Sequence, residues 1–391
     1  MKLKTLKTEN FRNLSENPPA FMDGINVLFG DNAAGKTNTL EAIYLFATGK
    51  SFRTRNEKDF IRHGESFARA EIEYENSLMT RTMSVAYMAS GKSALKGMQI
   101  DGCSVDKVSE FLGNFRAVLF TPDHLELVKG APEERRRLID MALCQIQPRF
   151  VRSLNDYMKV LSQRNNYLKG IKFSGKSADL DYIDVLNAQL AKAGAVITKQ
   201  RGLYSEKLSL LSEKAYASLT AGNESLYARY ISKAGINLVD ENEICESLYS
   251  MYRKDTPHDI ELGKTSHGPH HDELMIYVAK KGEEEKFFEK AKDIPEDRLS
   301  EYAARSFGSQ GQQRSAVLSI KLAEGEIIKE KCGEYPVFLL DDLFSELDDK
   351  RREKLSGMFL DKQCIITCCD RAALPKSTEM TVINVADGKY F

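Results

Sequence analysis

The chain has 391 residues, 42% hydrophobic and 29% charged, with a formal net charge of −1. This is a globular composition with room for two or three domains. It excludes nucleic-acid binding by bulk basicity, so any DNA contact must use a local patch. No apolar run reaches the roughly 18 residues of a membrane helix, and seven cysteines without a CxxC pair exclude a disulfide framework and a zinc ribbon.

The opening MKLKTLKTENFRNL lacks the continuous apolar core of a signal peptide and reads as a first strand with interspersed lysines. A cytoplasmic location is expected. GINVLFG reads as a second strand, with Ile25, Val27, Leu28 and Phe29 apolar and Gly30 at its end. After a glycine-rich turn, Leu40, Ile43, Tyr44 and Phe46 recur at helical spacing. EIEYENSLMTRTMSVAYM suggests two more strands, and AVLFTPDHL ends another at Pro122.

From about Glu133 to Tyr252 helical patterns dominate, broken at Pro148 and by the loop IKFSGKSADL. Their apolar positions step irregularly by three and four, which argues against a long coiled coil. Beyond them, HDELMIYVAKKGEEEKFFEK reads as a strand pair turning at Lys281-Gly282. SQGQQRSAVLSIKLAEGEIIKE reads as a helix, and YPVFLLDD and QCIITCCD as strands. In QCIITCC, Cys364, Cys368 and Cys369 are expected to pack as small apolar residues of a buried strand. The layout is an α/β head, residues 1–120 and 262–391, split by a helical insertion at 121–261.

GDNAAGKT, Gly30 to Thr37, matches G-x-x-x-x-G-K-[ST] between a strand and a helix, the context a phosphate-binding loop requires. Backbone N–H groups of Asp31, Asn32, Ala33, Ala34 and the helix start would face the phosphates. Gly30 and Gly35 permit close approach. Lys36 reaches the β- and γ-phosphates of ATP, and Thr37 places a hydroxyl on Mg²⁺. A second Gly-Lys-Thr at Gly263 to Thr265 is rejected, because His258 stands where the first glycine should be.

VFLLDDLFSELD, Val337 to Asp348, supplies the other half of the site. Four apolar residues make a buried strand, and two acids follow it. Asp341 is placed to hold Mg²⁺, directly or through water, and Asp342 to orient the attacking water. Many strands end in an acidic turn, so this pattern gains its force from the phosphate loop. Aspartate at Asp342 reaches one methylene less far than the glutamate usual in ATP-binding-cassette enzymes, which predicts slow hydrolysis. Ser309, Gly311 and Gln313 open the helix that precedes this strand. A serine hydroxyl, a glycine and helix N-terminal amides suit anion binding, although an ordinary N-cap needs no more than this.

These residues, in this order, resemble the RecF family, bacterial recombination-mediator ATPases related to the heads of SMC-type ATPases. NFRN (Asn10 to Asn13), SFRT (Ser51 to Thr54), LFTPDHLELVKGAPEERRRLID (Leu119 to Asp140), GPHHDE (Gly268 to Glu273), SQGQQR and LLDDLFSELDDKRR carry the resemblance across nearly the whole chain. It implies an ABC-type, SMC-like ATPase head with a helical insertion (arm) domain and no long coiled coil. It further implies an ATP-dependent homodimer in which Ser309, Gly311 and Gln313 meet the nucleotide held by the opposite subunit, with Ser345 to Asp348 at the seam. Family members bind DNA, single-stranded and gapped or double-stranded, and work with RecO and RecR to load RecA at gaps. The chain departs from the family at Ala33, where glycine is usual, and at His271, where arginine is usual. The cassette enzymes' switch histidine is not evident near Cys368 to Asp370.

Other residues read more plainly. Arg53 and Arg55 stand in a loop after the phosphate-loop helix, where arginines are usually solvated. Arg135, Arg136 and Arg137 point in three directions on a helix and read as its solvated start. His270 and His271, taken as part of a strand, could not converge on a metal. Two rival readings stand beside the ATP-switched DNA-binding dimer: another SMC-like ATPase serving a nuclease, and an interaction protein whose ATP is structural. A transporter ATPase fits less well.

Overall fold

The structure, a computed structural model, describes residues 1–16, 19–174, 177–220, 224–232, 240–295, 298–347, 349–375 and 379–391. The chain divides into two compact units. The first comprises Met1–Leu125, Ser218–Ala221 and Val317–Phe391, and the second Glu126–Ala217 and Gly222–Ala316.

The first unit begins with strands β1 (Lys2–Glu9) and β2 (Ile25–Phe29) and helix α1 (Lys36–Thr48). Then come β3 (Phe67–Glu75), β4 (Thr80–Ser90), β5 (Ser93–Ile100), β6 (Cys103–Ser104), α2 (Val108–Phe111) and β7 (Ala117–Phe120). β1, β3, β4, β5 and β6 form an antiparallel sheet in that order. Along β3 the inner face carries Ala68, Ala70, Ile72 and Tyr74, all fully buried, at the period of two a one-sided sheet demands.

The second unit carries α3 (Glu126–Lys129), α4 (Pro132–Ile146), α5 (Pro148–Ser174) and α6 (Leu180–Leu219). It continues with β8 (Glu224–Ile231), α7 (Glu241–Leu262), β9 (Glu273–Lys280), α8 (Glu284–Lys292) and α9 (Leu299–Ala304). Helix α10 (Gln310–Cys332) follows, and the division between the units falls within it. Pro148 opens α5, where the missing N–H costs nothing. Gly263 caps α7 in a left-handed conformation, its N–H donating to the Asp259 carbonyl at 2.8 Å. The second Gly-Lys-Thr is therefore a helix end.

The chain ends with β10 (Val337–Leu340), α11 (Asp349–Gly357), β11 (Cys364–Cys368), β12 (Met380–Ala386) and β13 (Lys389–Tyr390). In the first unit's second sheet the order is β13-β12-β2-β11-β10-β7, parallel except for β13. Residues 25–28 of β2 and all of β7, β10 and β11 are buried, as continuous apolar runs in a parallel sheet require. The C-terminal ends of β2, β11 and β10 lie side by side, the edge where parallel α/β sheets place ligands.

Two expectations change. The segment after Gly282 is helix α8, not a returning strand; β9 pairs instead with β8, from Ile231↔Glu273 to Glu224↔Lys280. EEKFFEKAK is rich in helix formers, and Phe287 stacks on Tyr277 of β9 with ring centroids 4.4 Å apart. The middle is consequently not all helical. By compactness, residues 262–316 group with the second unit, where β9 is held by β8 and by the apolar residues of α8 and α9. Cys369 lies beyond β11 and is exposed, whereas Cys364 and Cys368 are buried. Among the described residues no helix is long and apolar enough to cross a membrane.

Candidate nucleotide site

The phosphate loop leaves β2 at Gly30 and enters α1 at Lys36. Its shape is fixed by close backbone contacts. A Cβ on Gly30 would lie 2.0 Å from the Val385 carbonyl oxygen, so glycine is required there. Gly35 has φ +113, a conformation side chains rarely adopt. Ala33 also sits in the left-handed region, with φ 65. The glycine usual in the family would be at ease there, whereas alanine costs about 1–2 kcal/mol. Asp31, Asn32 and Ala33 are exposed, and Ala34, Gly35 and Lys36 are buried. The Lys36 ammonium donates to the Gly30 and Asp31 carbonyls, both at 2.7 Å, which holds it against the loop.

The two halves of the motif meet. Thr37 Oγ1 donates to Asp341 Oδ1 at 2.9 Å across 304 residues of sequence. Asp341 Oδ1 also accepts from Thr367 Oγ1 at 2.7 Å. The Asp342 N–H donates to the same threonine oxygen at 2.8 Å, and Asp342 has φ 46. A hydroxyl and a carboxylate beside a phosphate loop form the hard-oxygen donor set Mg²⁺ prefers. The Thr37 proton is engaged by Asp341, leaving its lone pairs for a cation. The chemistry of the residues present therefore fits Mg²⁺.

A cleft of about 700 Å³ adjoins the loop, lined by Arg12, Asn13, Asn38, Asp59, Arg62 and His63 among others. Asn13 ties it to the loop, donating to the Ala33 carbonyl at 3.3 Å and accepting from Asn38 at 2.8 Å. The Arg12 guanidinium makes two 3.0 Å bonds to Glu41, a fully buried carboxylate on α1. Ser51 donates to Glu41 at 2.5 Å, and Arg53, 44% exposed, reaches Asn38 at 2.5 Å. Arg53 is thus tied to the phosphate-loop helix rather than wholly solvated. The cleft residues carry no catalytic spacing of their own; NFRN and SFRT marked the segments, not the roles.

Ser309, Gly311 and Gln313 belong to the second unit. Ser309 caps α10 reciprocally: its Oγ accepts from the Gln312 N–H at 3.2 Å, and its own N–H donates to Gln312 Oε1 at 2.9 Å. Gln313 is buried, Gly311 is half-buried and Ser309 is exposed at the helix start. Ser345 donates to the Asp342 carbonyl at 2.7 Å. Asp348, expected at a subunit seam, lies outside the described residues.

The arginine run of α4 differs from its expectation. Arg135 is buried, bonded to both Glu273 oxygens at 2.8 and 3.0 Å and to the Gly130 carbonyl at 2.8 Å. Arg136 donates to the Asp272 carbonyl at 2.6 Å. His270 and His271 precede β9, with ring centroids 4.2 Å apart, and both Nε2 atoms lie 3.4 Å from the Thr265 carbonyl. The divergence expected of strand neighbours does not arise. Among the described residues no group of three or more His, Cys, Asp or Glu side chains is arranged to hold a metal.

The family model described as RecF/RecN/SMC N terminal domain matches residues 2–390. The DNA replication and repair protein RecF of Pediococcus pentosaceus is 35% identical, over 99% of this chain and 98% of that protein. The protein of the same name from Ruminiclostridium cellulolyticum is 37% identical, over 95% and 93%. A solved structure of the recombination mediator protein RecF-ATPrS in the RecFOR pathway aligns at 31% identity with a TM-score of 0.85, covering 99% of this chain and 97% of that one. An SMC head bound to the C-winged helix domain of ScpA aligns with a TM-score of 0.52 at 17% identity, a likeness of fold alone.

Proposed function

The chain belongs to the RecF family, with its ABC-type, SMC-like ATPase head, and from that premise we propose that it is an ATP-switched DNA-binding protein of replication and recombinational repair. Thr37 to Asp341, at 2.9 Å, carries the reading, because it joins the phosphate loop to the acidic strand end in one donor set. Gly30 to Thr37 would cradle the phosphates of ATP, and Lys36 would neutralise the β- and γ-phosphates. Thr37 and Asp341 would hold Mg²⁺, which supplies charge neutralisation at the transferred phosphoryl. The adjoining cleft, within the 300–1,000 Å³ typical of small-ligand sites, would take the base and ribose.

Asp342 would orient the attacking water. Its short side chain suits a switch with weak, DNA-dependent turnover. Two heads would sandwich two nucleotides, each site completed by Ser309, Gly311 and Gln313 of the other copy. Dimerisation would unite the DNA-binding surfaces at single-strand gaps and junctions, where RecR and RecO join in loading RecA; hydrolysis would release them. ATP acts here by its differential affinity for two states. The place of action is the cytoplasm, and no membrane is involved. The head, on this reading, is residues 1–120 and 262–391 and the arm 121–261, a division by family resemblance rather than by compactness.

Sedimentation of wild type and Lys36→Met, with and without ATP and Mg²⁺ and with labelled gapped DNA, tests the proposal. Wild type alone should become a DNA-carrying dimer with ATP. A monomer whose DNA binding ignores ATP would favour the rival in which bound ATP is structural.

A further inference from the structure

We infer that Thr367 is a positioning residue for both acids of the ATP site, holding Asp341 by donation and Asp342 by acceptance through one buried hydroxyl. No sequence motif marks it; the sheet order does. β11 lies between β2, which leads to the phosphate loop, and β10, which leads to the acids. Leu340 pairs with Ile366 and Leu28 with Thr367, so Thr367 stands one residue beyond the last paired residue of β10, level with Asp341.

A hydroxyl has one proton and two lone pairs. Thr367 spends its proton on Asp341 Oδ1 at 2.7 Å, the oxygen that also accepts from Thr37. An oxygen lone pair then meets the Asp342 N–H at 2.8 Å. Thr367 is 2% exposed, so water cannot readily replace either bond. Asp342 needs the anchor because its backbone is left-handed, with φ 46. The Asp341 N–H is fixed separately on the Phe120 carbonyl at 2.9 Å. The Asp342 carbonyl accepts from Ser345 at 2.7 Å and its carboxylate faces the Cys369 thiol at 4.0 Å, but among these bonds only the one to Thr367 ties its N–H to β11, so loss of the hydroxyl loosens the turn at Asp342 before that at Asp341.

The inference rests on the proposed role of Asp342, and the test separates the two. Thr367→Val keeps the shape and removes the hydroxyl; Thr367→Ser restores it. Turnover of ATP with Mg²⁺, equilibrium binding of a fluorescent ATP analogue, and amide hydrogen exchange of the peptide spanning Asp341 to Ser345 are measured for wild type and both variants. Thr367→Val should lower kcat about tenfold to a hundredfold, keep nucleotide affinity within about threefold and speed exchange in that peptide. Thr367→Ser should return both towards wild type. Unchanged exchange in Thr367→Val, or equal losses of affinity and turnover that serine does not repair, overturns the positioning role. Wild-type turnover no greater than that of Lys36→Met would instead sink the hydrolytic reading of Asp342, while the exchange result still decides whether Thr367 holds the turn.

Discussion

The guanidinium of Arg12 grips the Glu41 carboxylate through two hydrogen bonds of 3.0 Å, joining the loop after β1 to the helix that follows the phosphate loop. Glu41 is fully buried, while Arg12 is 21% exposed and lines the cleft beside that loop. Truncating one partner strands the other's charge. Glu41→Ala should destabilise the first unit by about 3 kcal/mol, the lower end for a broken buried pair because Arg12 can turn to water. Glu41→Gln should be milder in stability but weaken ATP binding by about tenfold, as Arg12 leaves the cleft wall. Thermal melting with equilibrium ATP binding checks both, and wild-type affinity in Glu41→Gln would refute the role of Arg12 in the cleft.

At Ala33 the backbone costs what the side chain does not repay. Its φ is 65, and glycine there would relieve about 1–2 kcal/mol of strain while making the unfolded chain more flexible by about 0.4–1 kcal/mol. Ala33→Gly should raise the melting temperature by on the order of 1–3 °C and leave ATP affinity intact. Ala33→Val should lower both, because a β-branched residue in this region is a stronger outlier. A glycine variant that melts lower than wild type would show that the alanine methyl makes a contact worth more than the strain.

The strands and turns of the candidate nucleotide site were legible because their pattern is local. Ile25 to Gly35 and Val337 to Asp342 each fold as strand then turn, and parallel pairing brings the strand ends to one edge. What escaped was non-local. Nothing near Arg135 names its partner, since Glu273 stands 138 residues away, and three adjacent arginines on a helix suggested a solvated start. The strand β9 was found, but its pairing with β8 could not be read across the intervening α7. Thr367 sits in an apolar run and looks like packing until the order β2-β11-β10 is known.

Arg135 and Glu273 therefore make a sharp test of burial over local pattern. Both side chains are almost fully buried. Arg135→Ala should cost about 3–5 kcal/mol by taking from the buried Glu273 the guanidinium that bonds both its oxygens. Arg135→Lys should recover little, since an ammonium cannot make the paired bonds to both carboxylate oxygens. The double variant Arg135→Leu with Glu273→Leu should regain most of the loss. Urea unfolding of the four proteins decides it, and a loss below about 0.5 kcal/mol in Arg135→Ala would restore the solvated reading.

His270 gives the second unit an acid limit. Burial first, and then the neighbouring His271, lower its pKa from 6.5 to about 3. Arg136 and Arg201 push the same way, while the Thr265 carbonyl opposes them. Tyr157 OH lies 2.6 Å from its Nδ1. The folded state thus keeps the ring neutral where the unfolded chain protonates it, so the unfolded state binds more protons between pH 6.5 and 3. Stability from this residue is fully present above pH 6.5 and falls with acidification by up to about 1.4 kcal/mol per pH unit, until it levels off near pH 3. His270→Gln, which cannot take up a proton there, should flatten the slope of unfolding free energy between pH 6 and 5, a window mostly above the carboxylate range. Parallel slopes for wild type and variant would mean that His270 gains its proton in the folded state as readily as in the unfolded one, and that the enclosure formed by Tyr157 and His271 admits the charge.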